Sequence, residues 1–532
     1  MRILVDSKQM KRCDSNTIEH FGIPSLVLME RAAMGVVEEI EKCFPAASAT
    51  NGILLVCGYG NNGGDGLAIA RMLWQKGYTV TVVMPPGEYN ISEETKVQMN
   101  ILEKYQIPIK SRIPNREFDM VVDALFGIGL TRDLTGLCLE YVLEMNEMRG
   151  RKVAVDIPSG INGDTGAVMG AAFYADMTVT FAFAKLGLLL FPGAEYAGEV
   201  VVKEIGIDRC SFLDVKPNTF CLDEGDLCEI PSRKTRSNKG SYGKVLTIAG
   251  QKNMVGAAFL SAKASYLTGA GLVKILTPEE NRVILQQLLP EAILATYTDV
   301  QENVNYACAN MKGTTQSCND ALESLQEFLS WASVVVAGPG IGTGAQAKSI
   351  IKKILACVDV PLILDADGLN IVAEHPEWLK EAKGTVIVTP HLGEMARLIQ
   401  KDIPFIQNRM LETAKEFAEE YHVICVLKDA RTVTAMPGGI AWVNASGNNG
   451  MATAGAGDVL TGIIAGLVAQ GMEPQYAASI GVYLHGLAGE AQTEDRGTYG
   501  LMAQDILEGI VCVLKKIHRG IMPYTVSGSV DW

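Results

Sequence analysis

Two α/β domains, each with a parallel sheet between layers of helices, are what this sequence predicts, and three observations predict them. The chain is 532 residues long, more than a single hydrophobic core organises. Two series of short apolar runs alternate with amphipathic stretches along it. Most of those runs end in glycine or in a polar side chain, and strand, glycine-bearing turn, helix, strand is the signature of right-handed βαβ units.

Composition narrows the class. Hydrophobic residues make up 48% and charged residues 20%, which fits an ordinary globular protein. No run of about eighteen uncharged apolar residues occurs, so no membrane partner is expected. Asp6 and Lys8 stand where a signal peptide needs an apolar core, and a cytoplasmic protein is expected. Twelve cysteines without a C-x-x-C pair and only six histidines argue against a zinc site or a disulfide framework. A net charge of −14 argues against nucleic acid as a partner. Anionic nucleotides remain open to such a chain where backbone amides and helix ends make the contacts.

In order, the first fifty residues read as helices. The first strand series is then ILLVCG, TVTVVMP, DMVVDALFG, KVAVDIPSG, MTVTFAF and EVVVKEIG. An irregular stretch around 210–235 separates it from KVLTIAG, GLVKILT, SVVVAGPG, PLILDADG, TVIVTP, VICVLKD and GIAWVNAS. We place the domains at 1–217 and 224–518; no short internal repeat or low-complexity tract interrupts them.

In an open α/β sheet the ligand crevice lies beyond the carboxyl ends of the strands. The first strand ends in CGYGNNGGDG, residues 57–66, where glycines let backbone approach a ligand and supply amides for a phosphate. A tight turn alone needs one or two glycines. Asp123 is followed by a second glycine loop, and Asp156 by Pro158-Ser159-Gly160. A lone strand-end aspartate is commonly a cap, but three such ends in one sheet weaken that reading. Oxygen donors such as Asn62, Asp123 and Ser159 suit a hard cation.

NNGGDG, VVDALFGIGLTR and VAVDIPSGINGDTG, in this order, resemble the YjeF N-terminal family, the NAD(P)H-hydrate epimerases, over roughly residues 1–215. The resemblance implies a Rossmann-like α/β/α domain. It also implies that Asn61, Asn62, Gly63, Gly64 and Asp65, with Gly127, Ile128, Gly129, Leu130, Thr131, Arg132 and Asp133, hold the hydrated nucleotide. Asn62, Asp123 and Ser159 would bind K+, and Asp156 would be catalytic at the nicotinamide.

In the second series the strongest chemical motif is NNGMATAGAGDVLTGIIAGLVAQG, residues 448–471. Small residues Ala454 to Gly457 run into Asp458 and an apolar helix, whose free amides and dipole make an anion hole. Asp458 there is either a proton acceptor for an attacking hydroxyl or a helix cap. Lys428-Asp429-Ala430-Arg431-Thr432 offers two cations and a hydroxyl for phosphate or ribose; a solvated charge cluster is the rival. His391 and Glu394 follow strand TVIV, where a capping histidine is the plainer role. AGPGIGTG at 337–344, DADGLN at 365–370, Lys239 to Gly243 and Gly256-Ala257-Ala258 add further strand-end turns.

GAGD at a helix start, with strands ending in GPG and DADG, resembles the ribokinase-like superfamily. KGSYGKVLTIAG, GPGIGTG, DADGLN, TPHLGEM, KDART and MATAGAGDVLTG narrow this to the ADP-dependent NAD(P)H-hydrate dehydratases, over roughly residues 225–515. The family's usual glycine-asparagine-glycine run reads Gly447-Asn448-Asn449-Gly450 here. The resemblance implies that Asp458 is the base, that Ala257, Gly340 and His391 contact the hydrate, and that Lys428 to Thr432 with Gly457 hold ADP, accompanied by Mg2+. The expected function is repair of hydrated NADH and NADPH: epimerisation of the R and S forms, then ADP-driven dehydration of the S form, giving AMP and phosphate. A homo-oligomer is expected. The rival is a small-molecule kinase fused to a non-catalytic nucleotide-binding domain.

Overall fold

The computed structural model describes residues 1–46, 50–87, 90–213, 215–298 and 320–518. The chain divides into two compact units between Phe220 and Cys221.

The N-terminal unit contains β1 (Arg2–Val5), β2 (Ile53–Cys57), β3 (Val80–Val83), β4 (Ile109–Lys110), β5 (Met120–Ala124), β6 (Arg151–Val155), β7 (Met177–Phe181), β8 (Ala184–Lys185) and β9 (Glu199–Lys203). Seven of these form a sheet in the order β4-β3-β2-β5-β6-β7-β9, with every neighbouring pair parallel. Strand β2 is apolar throughout because both its faces are covered. Ile53, Leu55 and Cys57 pack with Ala33, Val36, Leu67 and Ile69 from two helices. Leu54 and Val56 pack with Tyr141, Val142 and Met145 from another. The chain leaves β2 for β3 on one side and reaches β5 on the other, so a topological switch lies between β2 and β5. Their register sets Cys57 opposite Ala124 and Asp123 opposite Ala154, bringing three strand-end turns to one edge.

The expectation that the first fifty residues are helical needs one correction. Helices Ser7–Ser15 and Ser25–Cys43 are present, but Arg2–Val5 is a strand, paired in parallel with β8.

A short strand, β10 (Thr219–Cys221), lies at the division. The C-terminal unit follows with β11 (Lys244–Ile248), β12 (Leu272–Pro278), β13 (Ile293–Tyr297), β14 (Val334–Ala337), β15 (Leu362–Leu364), β16 (Val386–Val388), β17 (Ile424–Leu427), β18 (Val433–Ala435) and β19 (Ala441–Val443). Strands β13-β12-β11-β14-β15-β16-β17 are parallel, whereas β18 and β19 run antiparallel. The sequence reading took GIAWVNAS as one more strand of a parallel series. The connections on either side of β18 are too short to hold a crossover helix, so hairpins are the available link.

Helix Ala456–Ala469 lies tightly on helix Val255–Thr268. A Cβ on Gly462 would stand 2.1 Å from the Ser261 carbonyl, and one on Gly466 2.8 Å from that of Ser265. Glycine here serves helix packing and seats the start of Ala456–Ala469 against the sheet edge. Among the described residues, no helix is long and apolar enough to cross a membrane.

Candidate active sites

In the N-terminal unit the turns after β2, β5 and β6 open onto a cavity of about 670 Å³. Asn61, Asn62, Asp65, Gly127 to Arg132 and Asp156 line it; Gly63, Gly64 and Asp133 do not. The glycines of the first turn explain part of that difference. A Cβ on Gly58 would lie 2.0 Å from the Leu125 carbonyl oxygen, and one on Gly63 1.9 Å from that of Gly58. Gly64 packs on Met29 and Thr95, and Gly66 on Ala124 and Cys57. Four of the five glycines in 57–66 therefore serve close packing, and only Gly60 faces open space. Their first structural role is to let the turn fold against β5, while Gly58 and Gly60 also line the cavity. Asp133 is exposed, beyond the lining.

Asp123 and Ser159 are not among the lining residues, and Asp123 is fully buried. It accepts hydrogen bonds from Ser159 Oγ (2.7 Å), Ser159 N (2.7 Å) and Leu125 N (3.1 Å). Burial pushes its carboxyl up to about 6, against those bonds. Asn62 Nδ2 donates to the Phe126 carbonyl at 2.9 Å, while Asn62 Oδ1 is buried with no partner.

Asp156 stands beside them in the left-handed region, φ +67°. Its Oδ1 receives Lys185 Nζ at 2.6 Å and Thr180 Oγ1 at 3.1 Å. A Cβ on Gly127 would stand 3.7 Å from Asp156 Oδ2 and 3.3 Å from Asn62 Cβ, so the three strand-end turns lie close together here. Lys185, 1% exposed, spends its remaining protons on Thr180 Oγ1 and the Phe181 carbonyl. Sequence reasoning missed it. Its one visible signal is a lone cation at the end of the apolar run TFAFAK, which a fold tolerates only with a partner.

In the C-terminal unit, helix Ala456–Ala469 starts on Gly455 at φ +91° with no side-chain cap. Asp458 lies in its first turn and makes no capping bond, which removes the cap reading. Burial first, then Asp365, with Asp367 adding and Lys428 opposing, push its carboxyl up to about 7. Lys428 is the cation whose charge acts on it. Its Nζ donates to Asp365 Oδ1 at 2.8 Å and lies 3.3 Å from where a Gly457 Cβ would stand. Thr389 Oγ1 (2.7 Å) and Thr461 Oγ1 (2.9 Å) complete the shell of Asp365. Burial depresses the Lys428 ammonium, but Asp365, Glu394 and Asp458 outweigh that and hold it above its usual value.

His391 caps helix Leu392–Ile399: its Nδ1 accepts from Gly393 N at 2.9 Å, and Glu394 Oε2 accepts from His391 N at 2.8 Å. Nδ1 as acceptor leaves the ring proton on Nε2. A bridge between His391 and Lys428 joins the two loops. Ala257 and Gly340 meet, the Ala257 Cβ lying 3.1 Å from a Cβ built on Gly340. Arg431 instead turns to the Ala445 carbonyl at 2.5 Å, while Asp429 and Ala430 are exposed and Thr432 is half-buried. Asp365 and Thr461 were not singled out from sequence.

Two α/β units, each with polar groups gathered beyond the strand ends and one with an acid at a bare helix start, define an enzyme of nucleotide chemistry. The family model for NAD(P)H-hydrate dehydratase matches residues 245–511, and that for the YjeF-related protein N-terminus matches residues 25–187. The bifunctional NAD(P)H-hydrate repair enzyme Nnr of Moorella thermoacetica is 36% identical over 99% of both chains. That of Thermofilum pendens is 35% identical over 96% of both. The solved ADP/ATP-dependent NAD(P)H-hydrate dehydratase of Bacillus subtilis is 30% identical, covering 56% of this chain and 98% of its own, with a TM-score of 0.46. The chain belongs to the family of bifunctional NAD(P)H-hydrate repair enzymes, which join an epimerase domain to a dehydratase domain.

Proposed function

We propose that hydrated NADH or NADPH binds at two places in this chain: in the cavity above Asp156 for epimerisation, and beside Asp458 for dehydration. The observation that carries the second assignment is the half-buried Asp458 carboxyl, in the first turn of a bare helix start beside the Lys428–Asp365 pair. ADP is the co-substrate. Asp458 takes the proton of the C6 hydroxyl as its oxygen attacks the β-phosphorus, and AMP leaves. Amides of Gly455 to Gly457 and the Lys428 ammonium stabilise the charge on the phosphoryl group in transfer. The C6–O bond then breaks, phosphate departs with the electron pair, and loss of a C5 proton restores the ring double bond. Mg2+ enters with the diphosphate. Ala257, Gly340 and His391 contact the hydrate.

For the N-terminal cavity we infer a K+ site at Asn62, Asp123 and Ser159. An orphaned amide oxygen, a buried carboxylate and a hydroxyl beside the Phe126 carbonyl are a donor set that fits a large hard cation. When bound, the ion supplies positive charge that offsets Asp123 and ties the 125–127 turn to the glycine turn. We place the enzyme in the cytoplasm, which the free thiols of the described cysteines support. A homo-oligomer finds support in Val283, Ile284 and Leu288, exposed together on one short helix. Sedimentation of the purified chain tests it.

The test of the assignment is direct. The protein with hydrated NADH and ADP should restore the reduced-nicotinamide absorbance while releasing one AMP and one phosphate per NADH formed. Phosphate release from ADP without return of absorbance would refute it.

A further inference from the structure

Asp65 and Asp156 line the same cavity, within electrostatic reach of one another, and their surroundings are opposite in sign. Asp156 is matched by the buried ammonium of Lys185, 2.6 Å from Oδ1. Asp65, in the second turn of helix Asn61–Gln75, has no hydrogen-bond or ion-pair partner among the described residues. The charges that reach it are Asp156, Asp14 and, more weakly, Lys185; Glu94, Lys11 and Arg132 also line the cavity. Burial first, then these carboxylates, drive the Asp65 carboxyl well above the usual range.

We propose that the two carboxyls divide the proton transfers of epimerisation, Asp65 as the acid and Asp156 as the base. This rests on the assignment of the hydrated nicotinamide to this cavity.

Inverting C6 requires the hydroxyl to leave one face of the ring and water to add to the other. As the C6–O bond breaks, the N1 lone pair forms N1=C6, and the Asp65 proton passes to the departing oxygen, which leaves as water. A water oxygen then attacks C6 from the opposite face. The N1=C6 π pair returns to nitrogen and the water proton goes to Asp156. Atoms and electrons balance, with no oxidant or reductant. The enzyme is left with Asp65 ionised and Asp156 protonated, which is the state needed for the reverse direction. Exchange with solvent through the cavity mouth resets it. Carboxyl pairs held in opposite states by their surroundings are a general way to assign acid and base. Lys185 is the positioning residue of the pair: by occupying Oδ1 it leaves Oδ2 on the side of Gly127.

Asp14 is the competing acid, since it lines the same cavity and burial raises its carboxyl too. The charge that acts most strongly on it is Glu94, whereas on Asp65 it is Asp156, the group with which an acid must cooperate.

The test follows interconversion of pure (R)-hydrated NADH and its S epimer by chromatography, on the full chain without ADP. Asp65→Asn keeps shape but carries no transferable proton. Its kcat should fall at least about a hundredfold, with KM within about threefold of wild type. Asp14→Asn should retain kcat within about threefold. An Asp65→Asn variant with raised KM and normal kcat would make Asp65 a binding group only and overturn the proposal. So would loss of kcat in Asp14→Asn alone. If Asp65→Asn and Asp156→Asn both epimerise at the wild-type rate, the cavity assignment itself fails.

Discussion

Lys428 and Asp365 form a buried ion pair, with Nζ 2.8 Å from Oδ1, although 63 positions separate them in sequence. The Asp365 side chain is 2% exposed, and Thr389 and Thr461 bond its carboxylate as well. Such a pair holds together because nearly every lone pair is used, and it fixes Lys428 next to the amides of the Gly455–Asp458 helix start.

Breaking that pair from one side should be costly. Lys428→Met leaves Asp365 charged and buried, and should lower unfolding stability by about 3 kcal/mol. The double variant Lys428→Met/Asp365→Asn removes the stranded charge and should recover part of that loss. Urea unfolding of the three proteins checks it, and equal stability of single and double variants would remove the pair from the account.

Dehydration should depend on pH through Asp458. The base works only when ionised, and burial with Asp365 places its titration at about 7, so the rate should climb through about pH 7 and level above it. Asp367 adds to that rise and accepts a hydrogen bond from Gly342 N at 2.9 Å, which asparagine preserves. Asp367→Asn should therefore move the acidic limb to lower pH while leaving the plateau within a few-fold. ADP-dependent phosphate release across pH is the measurement.

Stability should carry the same signature with a definite sign. A carboxyl whose pKa is higher folded than unfolded binds its proton more tightly in the native state. For Asp458 that stabilisation is lost as pH rises from about 4, the unfolded value, to about 7. Asp458→Asn removes the titration. Its stability relative to wild type should thus improve by about 1–2 kcal/mol between about pH 5 and pH 8. Paired thermal melts at the two pH values decide it.

Much of this was legible in the sequence, for reasons particular residues show. Strand β2 reads as ILLVC because helices cover both its faces, so parallel strands announce themselves as unbroken apolar runs. Asp156 and Asp458 were visible because they end a strand or open a helix among small residues. The partners were not. Lys185 stands 29 positions from Asp156, and only the return of the chain through β7 and β8 makes them neighbours. Nor does sequence say all that a glycine is for: Gly58 and Gly63 also let the first turn pack closely, which the motif alone does not reveal. Strand β19 was read with the parallel series because strand direction leaves no mark in so short an apolar run.

The cation site makes a prediction of its own. Epimerisation should be faster in K+ than in choline at equal ionic strength, and Asn62→Ala should remove most of that dependence by deleting the unpartnered oxygen. Epimer interconversion in the two salts is the check; equal rates for the wild type would remove the ion from the account.

The central claim is that one chain holds two separable sites, and the most direct measurement is NADH formation by Asp156→Asn from each pure epimer with ADP in excess. The variant should convert the S epimer at close to the wild-type rate, since the groups assigned to dehydration all lie beyond residue 220. From the R epimer it should form NADH no faster than spontaneous epimerisation supplies the substrate. Wild-type conversion of both epimers by this variant would contradict the account.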